Sequence, residues 1–339
     1  MSRVDVFIPC YKYGHFLRGC VRSVLCQEGV DVHVLILDDA SPDHTPEVAA
    51  QLLREDSRVS YRRHESNRGH IATYHEGLDW ATGDYTLLLS ADDLLTPGAL
   101  ARAGRLMDAH PEVGMTYGRA VAFQGDGPPP AIPPVPDDYP WRVQTGPEFL
   151  GAVCASGANP VATPTVVVRT RLQRQLGGYR AELHHSGDFE MWMRFAAHGS
   201  IGFVDAPQAF YRWHTSNMTH TYNVGTGFRN LEQMKAAFDV FFRDWGHLVP
   251  ESERLRATIG RSTGELAFWT ASRAFDRGDL ATCRQYLDFA LTAWPRLRSG
   301  GAWRRLRWKM LLGHRCWSLS QPILDRLRGV RPANLSGKA

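Results

Sequence analysis

Apolar and amphipathic stretches alternate regularly between residues 3 and 124 of the chain. Apolar runs predict strands at Val4–Pro9, Val32–Leu37, Val59–Arg62 and Tyr85–Leu89. Apolar residues at helical spacing predict helices at Gly14–Gln27, Thr45–Glu55, Ile71–Ala81 and Pro97–Ala109. Because a helix follows each strand, the pattern predicts an α/β fold with a mostly parallel, twisted sheet flanked by helices.

The alternation stops after residue 124. Residues 125–147 are rich in Gly and Pro and predict a loop. Further along, Val161–Arg169 predicts another strand and Asp188–His198 an amphipathic helix. The middle of the chain is therefore expected to complete the α/β domain.

The C-terminal part is predicted to be helical from Phe228 onward, with a helical hairpin at Trp269–Pro295. Residues 296–331 carry ten Lys or Arg and one Asp, a net charge of +9. Subtracting this from the overall +4 leaves −5 elsewhere, which argues against a broad nucleic-acid-binding surface. We expect two parts: an α/β domain over residues 1–225, and a helical region over residues 226–339 that ends in a basic amphipathic tail.

The basic tail has two interpretations. Trp303, Leu306, Met310 and Trp317 share one helical face among basic residues. Such a helix is typical of contact with an anionic membrane surface, or it packs its apolar stripe on the body. The sequence shows no signal peptide, no apolar run near the roughly 20 residues of a membrane helix, and scattered cysteines. It predicts a cytoplasmic protein, with peripheral contact to the inner membrane face through residues 296–331 as a further expectation.

Two of the predicted strands end at pairs of aspartates. Asp38 and Asp39 follow the second strand, and Asp92 and Asp93 follow the fourth. Ligands of open α/β sheets bind at the C-terminal edge of the strands, so these carboxylates are expected near one site. Two such pairs suit a hydroxylated, phosphorylated ligand held through a metal ion.

Six sequence blocks follow one another between residues 3 and 220. In chain order they are Ile8-Pro9-Cys10-Tyr11 with Ser23-Val24-Leu25-Cys26-Gln27, then Val34 to Thr45, then Asn67-Arg68-Gly69 with Gly77 and Gly83-Asp84-Tyr85, then Leu89-Ser90-Ala91-Asp92-Asp93, then Leu176-Gly177-Gly178-Tyr179 with Gly187 to Arg194, and Tyr211-Arg212-Trp213-His214. Together they resemble family-2 glycosyltransferases with the GT-A fold. The resemblance implies an enzyme that transfers a sugar from a nucleotide diphosphate sugar to an acceptor hydroxyl, assisted by Mn²⁺ or Mg²⁺.

The chain departs from the family pattern at two positions. Ser90 stands where the first Asp of the Asp-x-Asp metal motif is usual, and Gly187 stands where Glu usually precedes the catalytic base. The Gln-x-x-Arg-Trp motif of processive synthases is absent from the sequence. We therefore expect a non-processive enzyme that transfers one sugar per encounter.

The resemblance assigns the metal and diphosphate to the fourth and sixth blocks. Asp93 is expected to bind the metal, Asp92 the ribose or a metal-bound water, and His214 the metal or the β-phosphate. Arg212 is a candidate phosphate contact and Trp213 a candidate platform for a sugar ring. As alternatives, Asp92 and Asp93 cap the following helix and His214 is structural.

The nucleotide is expected to lie against the first three blocks. Asp39 would accept a hydrogen bond from the base, and the N3–H of uracil or thymine suits it, which favours a UDP- or dTDP-linked donor. The other expected contacts are Asp38, Pro9 and Tyr11, with Asn67 and Arg68 as weaker candidates. A solvated turn at Asp38-Asp39 is the alternative.

Asp188 is the candidate general base, because the acceptor hydroxyl must lose a proton as it attacks. It is also a candidate N-cap of its helix, and a helix N-terminus lowers a carboxylate pKa where a base needs a raised one. Glu190 is the rival base. With the base on one face of the sugar and the diphosphate on the other, in-line attack would invert the anomeric carbon.

Other functions fit the sequence less well. A G-x-G-x-x-G motif does not follow the first strand, which disfavours a dehydrogenase, and Pro9-Cys10-Tyr11-Lys12 offers little phosphate cradle for a nucleotidyltransferase. A non-catalytic nucleotide-sugar-binding module is the remaining alternative. The expected partners are a nucleotide-sugar donor and a glycan, lipid-linked or small-molecule acceptor, and no nucleic acid.

Overall fold

The structure is a computed structural model that describes residues 1–136, 139–223 and 227–319. Its strands are β1 (Arg3–Cys10), β2 (Asp31–Asp38), β3 (Val59–Arg63), β4 (Tyr85–Leu88), β5 (Leu94–Leu95), β6 (Val113–Gln124), β7 (Trp141–Gln144), β8 (Val167–Arg169) and β9 (Ser200–Trp213). Its first helices are α1 (Gly14–Leu25), α2 (Thr45–Glu55), α3 (His70–Trp80), α4 (Ala99–Ala109), α5 (Gly146–Ser156), α6 (Thr170–Leu176) and α7 (Gly187–His198). The later helices are α8 (Met218–Asn223), α9 (Phe228–Trp245), α10 (Ser252–Asp276), α11 (Leu280–Ala293) and α12 (Gly301–Leu312).

The strands form one mixed sheet in the order β3-β2-β1-β4-β8-β6-β9-β5, with β7 also paired to β9. The pairs β1–β2, β1–β4, β2–β3 and β6–β9 are parallel. Strands β5, β7 and β8 run antiparallel to their neighbours. The expected α/β fold, with a sheet flanked by helices and a helical C-terminal region, is confirmed, whereas the sheet is mixed where a mostly parallel one was expected, because β5, β7 and β8 pair antiparallel.

The central strand β1 has helices on both sides, which explains its nearly continuous apolar sequence. Val4, Val6 and Ile8 are fully buried, and so is Phe7. A Cβ at Gly77 of α3 would overlap the ring of Phe7, so only glycine lets α3 approach β1 this closely. Strands β2 and β4 flank β1 and run parallel to it. The segments that follow these three strands therefore meet at one edge of the sheet.

The structure corrects two local predictions. Val161–Arg169 is not one strand, because Pro164 lacks the N–H that a ladder needs, and a 3₁₀ turn at Thr163–Thr165 precedes the short strand β8. The Gly- and Pro-rich loop ends earlier than residue 147, because β7 pairs with β9 and α5 begins at Gly146. The predicted hairpin at Trp269–Pro295 is present as the end of α10 followed by α11.

Two compact units divide the chain, Met1–Leu255 and one that begins at Arg256. The first includes α9, which packs on α7. The functional division expected at residues 225 and 226 stays a prediction, because a packing boundary does not determine where activity resides. In the part of the chain that the structure describes, no helix is both long and apolar enough to cross a membrane.

Candidate active site

A cavity of about 590 Å³ opens where the segments after β1, β2 and β4 meet the first turn of α7. Seven of the predicted site residues line it: Pro9, Tyr11, Asp39, Asn67, Asp92, Asp93 and Asp188. The other six do not belong to the wall that the described residues form: Asp38, Arg68, Glu190, Arg212, Trp213 and His214. The structure thus brings carboxylates from three distant segments to one cavity.

Asp39 is held by groups from the segment after β3. Its Oδ1 accepts the backbone N–H of Arg68 at 2.7 Å and lies 2.7 Å from Nδ1 of His64. Its Oδ2 accepts the backbone N–H of Gly69 at 2.9 Å. An ionised carboxylate accepts at about four positions, so Oδ2 keeps one free for a ligand.

Asp38 has a different environment. It is fully buried, and it accepts the backbone N–H of Ser41 at 2.7 Å and the Tyr61 hydroxyl at 2.8 Å. These bonds shape the turn after β2. The placement does not support the expected contact of Asp38 with a ribose or base.

Of the remaining nucleotide candidates, Pro9, Tyr11 and Asn67 line the cavity and Arg68 does not. Pro9 and Tyr11 line the cavity after β1, and Tyr11 is 40% exposed, so its ring is available to a base. Asn67 lines the cavity and donates to the backbone carbonyl of Asp39 at 3.2 Å. The side chain of Arg68 is exposed and lies 3.4 Å from Glu76, so only its backbone contributes to this end of the site.

Asp92 and Asp93 form the acidic centre of the cavity. Asp92 Oδ2 lies 3.0 Å from His214 Nε2 and accepts a hydrogen bond of 3.0 Å from Asn217. Asp93 is 3% exposed and accepts the backbone N–H of Arg212 at 2.9 Å. Burial, together with the adjacent charge of Asp92, raises the pKa of Asp93 well above its usual range. Two adjacent carboxylates with this little solvent are suited to a cation.

These donors fit a hard divalent cation. Mg²⁺ is usually held by one or two carboxylates plus substrate phosphates, and neighbouring ligands of an octahedral ion lie about 3 Å apart. Asp92 Oδ2 lies 3.0 Å from His214 Nε2, which is a hydrogen-bond distance, and Asp93 is adjacent. Among the described residues, no group of three or more His, Cys, Asp or Glu side chains is arranged to hold a metal alone. Asp92 and Asp93 supply the one or two carboxylates that a metal shared with a substrate phosphate would need.

Arg212 and Trp213 occupy structural positions. The Arg212 guanidinium donates to the carbonyls of Asp92, Gly125 and Gly127 and lies between two aromatic rings, 4.4 Å from each centroid. Trp213 packs edge-on against Tyr211, and Tyr211 lines the cavity. The expected phosphate contact of Arg212 and sugar contact of Trp213 have no support in this geometry.

Asp188 lies in the first turn of α7, and the N-cap position is Ser186. Its Oδ2 accepts the Thr163 hydroxyl at 2.7 Å, and its Oδ1 accepts the N–H of Phe189 at 2.7 Å. Burial raises the pKa of Asp188, although both hydrogen bonds lower it. The net direction favours a carboxylate that takes up a proton, as a general base must.

Glu190 lies away from the cavity wall. It is fully buried, and its Oε2 lies 3.0 Å from the guanidinium of Arg194, which is also buried. A charge that is enclosed with its partner in this way has no path to an acceptor hydroxyl. The geometry therefore favours Asp188 over Glu190 as the base.

Several residues of the cavity were not anticipated. Tyr13, Tyr74, Thr163, Tyr211 and Asn217 all line it. Two of them had a signal in the sequence: Tyr211 belongs to the sixth block, and Asn217 follows His214 by three residues, where its side-chain oxygen accepts the His214 N–H. Thr163 was not identified as a site residue because the sequence pattern predicted a strand over Val161–Arg169.

Sequence comparisons identify proteins that this chain resembles. Residues 5–167 match the model described as Glycosyl transferase family 2. A protein of Mycobacterium tuberculosis (strain CDC 1551 / Oshkosh), MT1568, is 30% identical over 220 residues, which are 59% of this chain and 64% of that protein. The match therefore spans just under two thirds of this relative. The chain therefore resembles glycosyltransferase family 2 over residues 5–167, just under half of its length.

The fold also resembles solved glycosyltransferases. S. aureus TarS in complex with UDP-GlcNAc has a TM-score of 0.64 at 14% identity, covering 98% of this chain and 93% of that chain. The mannosyltransferase PcManGT from Pyrobaculum calidifontis, in complex with GDP-Man and Mn²⁺, has a TM-score of 0.57 at 17% identity, covering 97% and 88%. At these identities the likeness concerns the fold alone.

Proposed function

We propose that the protein is an inverting, metal-assisted glycosyltransferase that moves one sugar from a nucleotide diphosphate sugar to an acceptor hydroxyl. The observation that carries the proposal is that one cavity holds Asp188, Asp39 and the Asp92–Asp93 pair. Each carboxylate meets a separate need: proton removal, base recognition and support of the leaving diphosphate. The family and the fold give the same class of reaction.

Asp188 is proposed as the general base. Its Oδ2 is oriented by Thr163, and Oδ1 by the N–H of Phe189, so both oxygens are fixed before an acceptor binds. Burial raises the pKa of Asp188, which brings its proton affinity closer to what proton abstraction near neutral pH requires. The acceptor proton would pass to the carboxylate as the hydroxyl oxygen attacks the anomeric carbon.

The leaving diphosphate is proposed to lie at Asp92 and Asp93. A divalent cation bound there, Mn²⁺ or Mg²⁺, would neutralise the charge that builds on the diphosphate. Asp93 and His214 are the proposed ligands, and Asn217 orients Asp92. The Mn²⁺ named with PcManGT supports this choice.

The donor is proposed to be UDP- or dTDP-linked. The free acceptor position on Asp39 suits the imide N–H of uracil or thymine, and the exposed ring of Tyr11 suits the face of the base. TarS is named with UDP-GlcNAc and PcManGT with GDP-Man, so relatives of this fold use different bases. A competition assay with UDP, dTDP and GDP separates these donors.

Single displacement follows from the proposed positions. If the sugar lies between Asp188 and the diphosphate, the acceptor attacks the face opposite the leaving group and the anomeric carbon inverts. The Gln-x-x-Arg-Trp motif of processive enzymes is absent from the sequence, which supports transfer of one sugar per encounter. NMR of the product linkage tests this step, because retention at the anomeric carbon would contradict it.

A glycan, lipid-linked or small-molecule acceptor is proposed, together with a peripheral contact to an anionic membrane in the cytoplasm. Trp308, Leu311 and Leu312 lie on one face of α12 and are 67%, 68% and 55% exposed. Residues 296–319 contain seven Lys or Arg and no Asp or Glu. Exposed apolar side chains surrounded by cations complement anionic lipid headgroups.

The central test replaces the proposed base. Asp188→Asn keeps the shape of the side chain but cannot take up the acceptor proton, so kcat should fall by a factor on the order of 10² or more. Binding of UDP and Mn²⁺, measured by calorimetry, should stay close to that of the wild type. Asp79→Asn, which removes an exposed carboxylate from α3, is the matched control and should keep full turnover.

Two outcomes would contradict the proposal. An Asp188→Asn enzyme with normal kcat would remove Asp188 as the base, and a wild-type protein that binds UDP-sugars without any turnover would favour the binding-module alternative. A protein that instead joins a sugar phosphate to a nucleotide would be a nucleotidyltransferase. Product analysis by mass spectrometry distinguishes these activities.

A further inference from the structure

A buried histidine, His64, lies between two carboxylates next to the nucleotide end of the cavity. Its side chain is 6% exposed, with Nδ1 2.7 Å from Asp39 Oδ1 and Nε2 2.9 Å from Glu76 Oε2. Both separations are hydrogen-bond distances, and ionised carboxylates only accept. With both carboxylates ionised, each ring nitrogen would carry a proton, because a neutral imidazole would turn a lone pair toward one of them.

The charges around His64 favour this imidazolium. Besides Asp39 and Glu76, the charged groups nearby are Arg62 and Arg68, each 3.4 Å from Glu76 and about half exposed. Burial lowers the pKa of His64, but the hydrogen bonds and charges of Asp39 and Glu76 outweigh it and leave the pKa raised. The charged ring thus lies between one buried acid, Asp39, and one partly exposed acid, Glu76, whose charges repel each other.

We propose that His64 is a positioning residue, whose imidazolium fixes Asp39 so that Asp39 accepts the imide N–H of a pyrimidine nucleotide. This inference rests on the proposed function, in which Asp39 recognises the base. His64 is not a lining residue of the cavity, so it acts only through Asp39. The ligand class it favours is a uridine or thymidine diphosphate.

The hydrogen-bond geometry shows how the positioning works. His64 and the Arg68 N–H both bind Oδ1, which fills the acceptor positions of that oxygen. The Gly69 N–H binds Oδ2 and leaves one acceptor position there. Loss of the His64 donor would free Oδ1 to rotate toward the cavity and would weaken the preference for a single base orientation.

The proposal predicts a defined dependence of nucleotide affinity on pH. Because the pKa of His64 is raised, the imidazolium persists to higher pH than that of an ordinary histidine and is lost as the pH rises through that pKa. A neutral ring donates through only one nitrogen, so the Kd for UDP should increase by about threefold to tenfold on the alkaline side. At pH values below the pKa of His64, the affinity for UDP should no longer change as this residue is already protonated.

Three variants separate this role from a merely structural one. His64→Asn places an amide N–H near the position of Nδ1 without a titratable group, so UDP should bind within about twofold of wild type and independently of pH. His64→Ala removes the donor, so the Kd should lie about tenfold above the wild-type value on the acid side of the profile and should not change with pH through this group. Glu76→Gln keeps a hydrogen-bond acceptor but removes a charge, so the midpoint of the wild-type pH profile should move to lower pH.

The measurement is calorimetric titration with UDP and Mn²⁺ from about pH 6 to about pH 9, together with ¹⁵N NMR of the imidazole ring in the free protein. Both ring nitrogens should be protonated at neutral pH. A neutral ring, or a Glu76→Gln profile with an unmoved midpoint, would overturn the inference and leave the proposed function intact. A wild-type protein that binds neither UDP nor dTDP at any pH would overturn the proposed donor and the inference with it.

Discussion

At the scale of single residues, neighbours decide which carboxylate carries out which task. Asp188 and Glu190 are two positions apart on α7, yet one faces the cavity beside Thr163 and the other faces Arg194 in the interior. Asp38 and Asp39 are adjacent, and only Asp39 lines the cavity. The two carboxylates of each pair point in different directions. Residues with the same chemistry in the sequence therefore have different surroundings in the folded protein.

Thr163 should set the pH range in which Asp188 is active. Its hydroxyl donates to the charged carboxylate and lowers its pKa, so Thr163→Val should raise the pKa of Asp188 further. Since the base works only when ionised, the acid side of the kcat/KM profile should move to higher pH, and kcat at neutral pH should fall by about threefold to tenfold.

The matched control for this substitution is Thr270→Val, which removes a hydroxyl that bonds a backbone carbonyl of α10. It should leave the pH profile unchanged. If the acid side of the Thr163→Val profile coincides with that of the wild type, Thr163 does not tune the base.

At the scale of elements, irregular segments supply the site and regular ones hold it in place. Asp39, Asp92 and Asp93 follow strands, while the 3₁₀ turn at Thr163–Thr165 presents Thr163 to α7. Helix α12 of the basic tail has one buried face and one exposed face. The predicted face buries Leu306, whereas Trp308, Leu311 and Leu312 remain exposed. Burial of Leu306 fits the packing interpretation, membrane contact through the exposed face stays a prediction, and residues 320–331 of the predicted tail lie outside the described residues.

The exposed face of α12 should bind anionic membranes. Replacing Trp308 and Leu311 by Ser should reduce binding to phosphatidylglycerol-containing vesicles about tenfold or more in flotation assays. Each substitution removes an apolar side chain that would be buried in the membrane surface. Wild-type binding should weaken with salt and should be minor on neutral vesicles.

A control pair exists on α10, where Leu266 and Trp269 are each 49% exposed. Replacing both by Ser should leave vesicle binding unchanged. Equal losses in the two double variants, or a concentration-dependent dimer that disappears with Trp308, would show that this face binds something other than lipid.

At the scale of the whole molecule, ligand binding should stabilise the native state. Asp39 and the Asp92–Asp93 pair come from segments more than 50 residues apart in sequence, so a nucleotide that joins them opposes unfolding of the unit that contains them. A ligand at about 100 times its Kd adds about 2.7 kcal/mol to the free energy of unfolding.

Melting curves with UDP should therefore show a higher Tm, and Mn²⁺ should increase the shift. EDTA should remove only the metal-dependent part. Asp93→Asn should lose that same part while keeping the shift due to UDP alone. An equal shift with Mn²⁺ and with EDTA would contradict the metal site.

The sequence predicted most of the first half of the fold but less of the second. Strands β1 to β4 and their helices were placed within a few residues, because each buried strand is a continuous apolar run. Strands β6 and β9 were missed, since their buried positions alternate or are interrupted by bulges. The Asp188 region was identified by its motif, but its partner Thr163 depended on a turn that local pattern did not reveal.

By itself, the sequence determined the α/β class, the resemblance to family-2 glycosyltransferases and the presence of acidic groups at strand ends. These properties depend on local apolar periodicity and on the order of the motifs, and both are features of the sequence itself. Only the tertiary structure decided that Asp39 rather than Asp38 lines the cavity, that Glu190 is enclosed with Arg194, and that His64 bridges two acids. Side-chain direction and proton affinity depend on contacts between segments that are distant in sequence, and folding alone creates those contacts.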